Sequence, residues 1–162
     1  MTKNHLMMSK TNAVRILNAN NIPHKAVSYE VDENDLSGTS VANKIGEDPE
    51  KVFKTLVANG DKNGTNIFCI PVTAELNLKK AALASGNKKI EMIKVKDLFP
   101  LTGYIRGGCS PIGMRKNFPT YIEETIQLFD KIFVSAGARG MQISIYPDDL
   151  QKITNATFKD LI

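Results

Sequence analysis

Apolar and polar positions alternate along this chain in short runs. Ala13, Ile16 and Leu17 recur at helical spacing, and Pro23 stands just beyond, so a helix is expected from about Ser9 to Asn21. Residues 25–31, KAVSYEV, read as a strand. Thr39 or Ser40 is placed to cap a short helix that stops at Gly46. VFKTLVA (52–58) and NIFCIPV (66–72) are β-branched runs on either side of a turn rich in Gly, Asp and Asn, the signature of a hairpin. A helix is expected over Asn77–Ser85, closed by Gly86. Further strands are expected at KIEMIKV (89–95), TGYIRG (102–107), PTYIEE (119–124), KIFVSA (131–136) and QISIYP (142–147). Asp148 or Asp149 is placed to cap a last helix running through Ile153. Strands outnumber helices, and long crossover helices are missing. The pattern predicts a single α/β domain over 9–162 with a mixed, curled sheet, after a disordered tail over 1–8.

Length agrees with one domain: 162 residues bury a sizeable core without staples. No apolar run approaches the roughly 20 residues of a membrane span, and the first residues, MTKNHLMMSKTN, hold no signal-peptide core. The expectation is therefore a cytoplasmic protein with no membrane partner. Cys69 and Cys109 make neither a disulfide framework nor a zinc cluster, and no metal or cofactor is expected.

Charge is uneven. From Lys79 to Lys116 nine basic residues face only Glu91 and Asp97, a local charge of +7 that leaves −3 elsewhere. Such a stretch suits a polyanion such as RNA, or is a solvated lysine face.

Familiar catalytic sets are missing. His5 lies in the tail and His24 in a turn, so no Ser-His-Asp triad is expected. Lys54 is unusual. Period-two alternation puts it on one strand face with Val52 and Leu56. It either lines a cleft, where an ammonium holds a phosphate or polarises a carbonyl, or snorkels at a sheet edge. GGCSPIG (107–113) is a small-residue loop whose backbone N–H groups can approach a ligand, and SAGARG (135–140) repeats that chemistry with Arg139 added. Cys109 has no histidine near it in sequence and reads as a small structural hydrophobe.

VFKTL (52–56), LNLKKAA (76–82), KKIEM (88–92), TGYIRGGCSPIG (102–113) and VSAGARG (134–140) together resemble the YbaK family, the free-standing branch of the prolyl-tRNA synthetase-associated editing domains. The resemblance runs from about Asn12 to Ile162. It implies a mixed, partly barrel-like sheet flanked by helices, and an aminoacyl-tRNA deacylase that hydrolyses Cys-tRNA(Pro) or Cys-tRNA(Cys). It implies no cofactor. The implied partners are the aminoacylated 3′ end of tRNA and, transiently, prolyl-tRNA synthetase.

By the same resemblance, Lys54 matches the family's essential lysine. Gly107, Gly108, Ser110, Pro111 and Gly113 match the loop that holds the terminal adenosine and the ester. Tyr29 matches a pocket tyrosine, and Gly137 and Arg139 match the second glycine loop. Lys79, Lys80, Lys88, Lys89, Arg115 and Lys116 are then expected to meet tRNA phosphates. The implied chemistry is attack by the cysteinyl thiol on its own ester. The alternatives are water-based hydrolysis of Ala-tRNA(Pro) or a similar small amino acid, and a noncatalytic RNA-binding or regulatory module. Ala136, Ala138 and Gln142 depart from the family pattern, which typically has a glycine, a lysine and in some members a carboxylate there.

Overall fold

A computed structural model describes residues 11–162. The expected tail, with His5 in it, and the expected helix start at Ser9 lie outside the described residues. The first helix, α1 (Asn12–Ala19), begins where the Thr11 hydroxyl accepts a hydrogen bond from Val14 N at 3.2 Å. It buries Ala13, Val14 and Leu17. Asn21 then adopts a left-handed conformation (φ 54°) and turns the chain into β1 (His24–Ser28). β1 stops three residues short of the expected strand, because its partner strand ends at Met141.

Helix α2 (Gly38–Ile45) is capped by Ser37, not by Thr39 or Ser40: Ser37 Oγ accepts from Ser40 N at 3.3 Å. β2 (Phe53–Gly60) and β3 (Gly64–Pro71) form the expected antiparallel hairpin, with Lys54 opposite Ile70. Helix α3 (Leu78–Ser85) has Asn77 as cap and left-handed Gly86 as stop, as the sequence pattern predicts.

The next stretch departs from expectation. The strand expected over 89–95 shortens to β4 (Ile90–Met92), which pairs only with Ala58–Gly60 at the end of β2. With no further partner strand, the chain turns into helix α4 (Val95–Thr102). The strand expected over 102–107 is therefore replaced by the end of α4 and a loop. Gly103 takes φ 84° and donates its N–H to Phe99 O at 2.8 Å, so the backbone there bonds locally rather than to a strand.

β5 (Thr120–Glu123), β6 (Ile132–Ala138) and β7 (Met141–Ile145) follow. Helix α5 (Pro147–Thr154) starts at Pro147, with Tyr146 at the cap position. Asp148 and Asp149 lie in its first turn and do not cap it. An unexpected short strand, β8 (Thr157–Lys159), pairs parallel with β5.

The strands form two sheets, neither of them closed, so the α/β fold is as expected and its partly barrel-like character is only loosely met. One is antiparallel, in the order β1-β7-β6. The other is mixed, in the order β4-β2-β3-β5-β8, with β3, β5 and β8 parallel. Phe53, Val57, Ile67 and Cys69 on one face of the larger sheet pack against Val134, Ile143 and Ile145 of the smaller one and against Leu17 of α1. On the opposite face Ala58, Phe68 and Ile70 are covered by Ala81 and Ala82 of α3. The alternation in β2 is real: Phe53 and Val57 face the inter-sheet core, while Leu56 packs with the other cluster. The result is a single α/β domain with helices on the outer faces.

Candidate functional site

Where β2 passes the end of the smaller sheet, the packing leaves a cleft of about 480 Å³, a usual size for a small-ligand site. Lys54, Thr55 and Leu56 of β2 form one wall, and Met92, Ile93, Val95 and Leu98 form another. Leu36–Thr39, at the start of α2, close a third side, and Arg106, Gly107 and Cys109 a fourth. Ser135 and Gln142, paired across β6 and β7, are also exposed to it.

Lys54 is half-buried and has no carboxylate within 4.0 Å among the described residues. It lines the cleft, on a part of β2 that β4 does not pair with. The N-terminus of α2 adds to this charge. The first turn of a helix leaves backbone N–H groups without intrahelical partners and carries the positive end of the helix dipole. Asp35 anchors that turn. Hydrogen bonds from Ser37 hold its carboxyl below the ordinary range.

Among the described residues, Lys54, Arg106 and Cys109 are the ionisable side chains lining the cleft, and no carboxylate or histidine joins them. Burial pushes the Cys109 thiol up to about 12, so it stays protonated at neutral pH. This agrees with a structural cysteine, since the thiolate is the nucleophile. Burial likewise pushes Cys69 up to about 12.

The glycine loop serves the cleft mostly from behind. Ser110 is fully buried, and its Oγ accepts from Ile112 N within its own turn. Its hydroxyl thus shapes the loop, and Ser110 is not among the residues that line the cleft. Pro111 and Gly113 line a separate polar depression next to Lys116 and Asn155. A Cβ on Gly108 would lie 3.0 Å from the backbone of Ala138 and Arg139, so this glycine lets the two small-residue loops touch. Gly137, at φ 99°, sits in a bulge of β6 against the Tyr104 ring. Arg139 Nε donates to Arg106 O at 2.9 Å, and its Nη1 donates to both Glu33 oxygens at 2.9 and 3.1 Å. It therefore ties the 30–36 segment to the cleft loop. Tyr29 lies outside the cleft lining, and its N–H bonds Gly140 O.

Of the expected phosphate contacts, Lys79, Lys88, Arg115 and Lys116 carry no acidic partner among the described residues. Lys80 pairs with Asp160 at 3.0 Å and Lys89 with Glu91 at 3.4 Å. The wall from Met92 to Leu98 was not foreseen as a site element. Gln142 was noted only as a departure. Gln142 is 6% exposed, and its Oε1 has no hydrogen-bond partner among the described residues.

An apolar cleft with a bare lysine, a helix N-terminus and two abutting small-residue loops defines an α/β domain built to hold a small polar group. The aminoacyl-tRNA editing domain family matches residues 36–153. A protein of Enterococcus faecalis, "Putative Cys-tRNA(Pro)/Cys-tRNA(Cys) deacylase EbsC", is 49% identical over 152 residues, covering 94% of this chain and 93% of its own. This chain therefore belongs to the aminoacyl-tRNA editing domain family, as the YbaK-like motifs implied. The fold agrees. A crystal structure described as "a putative trans-editing enzyme for prolyl tRNA synthetase" superposes with TM-score 0.80 at 23% identity, over 94% of this chain and 97% of that one. The hypothetical protein APE2540 gives 0.84 at 18% identity, over 93% and 99%.

Proposed function

We propose that this protein is an aminoacyl-tRNA deacylase that removes cysteine from mischarged Cys-tRNA(Pro), and from Cys-tRNA(Cys). The observation that carries this reading is the free Lys54 ammonium in the cleft, beside the loop that begins at Gly107. The similarity to the Enterococcus protein supports the choice of amino acid. The terminal adenosine and its ester enter the cleft. Lys54 and the N–H groups at the start of α2 face the ester carbonyl, where negative charge develops in the transition state.

Among the described residues no carboxylate or histidine lines the cleft to activate water, which favours attack by the substrate's own thiol. The cysteinyl sulfur bonds to its carbonyl carbon, the ester C–O bond breaks, and the thiol proton ends on the ribose oxygen. Water then opens the resulting thiolactone to free cysteine. The protein contributes position and electrostatics. Intramolecular reactions held this way gain up to roughly 7–11 kcal/mol. Selectivity for cysteine then resides in the thiol.

This reading places the protein where tRNA is charged, in the cytoplasm, in transient contact with prolyl-tRNA synthetase. Among the described residues no helix is long and apolar enough to cross a membrane. Incubating the purified protein with labelled cysteinyl-, alanyl- and prolyl-tRNA tests the reading. Release of cysteine alone is expected. Release of alanine at a comparable rate overturns the thiol mechanism, and release of no amino acid leaves a binding module.

A further inference from the structure

Among the described residues, helix α4 carries an apolar stripe that stays largely exposed. Val95 is 64% exposed and Phe99 50%. Four residues apart, they share one helix face. Met92, just before the helix, is 45% exposed. Met92 and Val95 belong to the cleft wall, and Phe99 lies about 6 Å further along the helix axis. The stripe thus leads out of the cleft to an aromatic ring.

That ring is held under a cation. The Arg115 guanidinium carbon lies 4.7 Å from the Phe99 ring centroid. Arg115 is fixed at both ends: its backbone N–H donates to Thr102 O at 3.1 Å, and its Nη1 reaches Pro100 O at 3.4 Å. From Lys94 to Ile122 there are five basic residues and one carboxylate, Asp97, which lies 4.0 Å from the Lys96 ammonium. An exposed aromatic and a guanidinium in a basic field suit unpaired nucleotides, which stack on such surfaces while their phosphates meet the cations. A protein partner of ordinary composition would gain little from this excess of positive charge.

We propose that Phe99, with Arg115 over it, is a stacking platform for the unpaired base next to the 3′-terminal nucleotide of the tRNA. The proposal rests on the deacylase reading, in which the terminal adenosine occupies the cleft. The penultimate nucleotide then leaves along α4, one turn beyond Val95, and its base meets the Phe99–Arg115 pair. Stacking of this kind tolerates any base, as befits an end that all tRNAs share.

The test uses the full chain and two uncharged, fluorescently labelled oligoribonucleotides ending in CCA, one intact and one lacking the base at the penultimate position. The wild type should bind the intact oligonucleotide roughly 5- to 150-fold more tightly than the abasic one. Phe99→Ala should bind the intact form that much more weakly and lose the discrimination. Phe99→Trp should keep it, which separates stacking from damage to the fold. Three results overturn the proposal: no preference of the wild type for the intact form, Phe99→Ala discriminating as the wild type does, or Phe99→Ala keeping its RNA affinity while losing binding to prolyl-tRNA synthetase. The probes carry no amino acid, so this outcome is independent of whether charged tRNA is hydrolysed.

Discussion

Val52 and Phe133 form an isolated parallel bridge between the extension of β2 and the smaller sheet. Both side chains are buried, packed with Val72 and Ala42. Lys54 stands two residues along the chain from this bridge. The fixed crossing of the sheets therefore sets where the ammonium enters the cleft, and α2, through Ala42, is anchored to the same cluster.

Lys54→Ala is expected to abolish deacylation while leaving the fold intact. Lys54 is only half-buried and has no acidic partner among the described residues to orphan. Lys54→Arg should also be poor, since a planar fork does not replace a compact ammonium in a narrow cleft. Single-turnover release of cysteine, with far-UV circular dichroism as control, checks both. A folded Lys54→Ala protein with full turnover refutes the site.

Gly108→Ala is expected to cost about 1–3 kcal/mol of stability and most of the activity, because its Cβ would press on backbone rather than on a movable side chain. Urea unfolding reads the first effect. Wild-type stability would mean that the two loops can part freely.

Most of the motifs that carried the family resemblance fell on segments with strong local signals: the β2–β3 hairpin, α3 between Asn77 and Gly86, and the small-residue loops; KKIEM and the start of TGYIRGGCSPIG did not. The misread stretch was 89–107. Its β-branched residues suit a strand, yet β2 offers β4 only three partner positions. Availability of a partner strand is a tertiary fact with no local signature. The same limit hid the cleft wall on α4 and the pairing of Ser135 with Gln142, which a bulge in β6 fixes. Lys54 was recognisable because a charge interrupts an apolar alternation. The bond between Ser110 Oγ and Ile112 N had no local signature, because a hydroxyl in a glycine loop looks the same whether it faces a ligand or its own turn.

Stability should fall as pH rises from about 9 towards 12. The folded state keeps Cys69 and Cys109 protonated up to about 12 against an ordinary value of 9.0, and Tyr104 up to about 12 against 10.0. The unfolded chain loses these protons first. It then binds fewer protons than the native state, so the slope of unfolding free energy with pH is negative across that window. Below pH 9 these groups contribute no pH dependence. Cys109→Ala should cost about 1–2 kcal/mol at pH 7 and flatten the alkaline decline. Thermal unfolding at several pH values measures both. A decline as steep in Cys109→Ala as in the wild type contradicts the burial argument.

Gln142→Met is expected to hold or raise stability, by up to about 1 kcal/mol, because it removes a buried acceptor that bonds nothing among the described residues. The same variant should raise the Michaelis constant for charged tRNA if Oε1 is a substrate acceptor. Loss of stability without a change in that constant assigns Gln142 to packing alone.

The basic surface should divide in two when binding is measured against salt. Each phosphate contact removed lowers the log–log slope by roughly 0.7–0.9. Lys80 and Lys89 already face Asp160 and Glu91, so replacing both with Gln should barely change the slope. Arg115 and Lys116 have no carboxylate within 4.0 Å among the described residues and stand beside the glycine loop. Replacing both with Gln should lower the slope by roughly 1.4–1.8 and weaken binding to all tRNAs alike, since phosphate contacts position without reading sequence. Titrations at three or more salt concentrations with two unrelated tRNAs decide the matter. Equal slopes for the two double variants would spread the RNA footprint evenly over the lysine-rich segment, and an unchanged slope in both would leave that segment a solvated face.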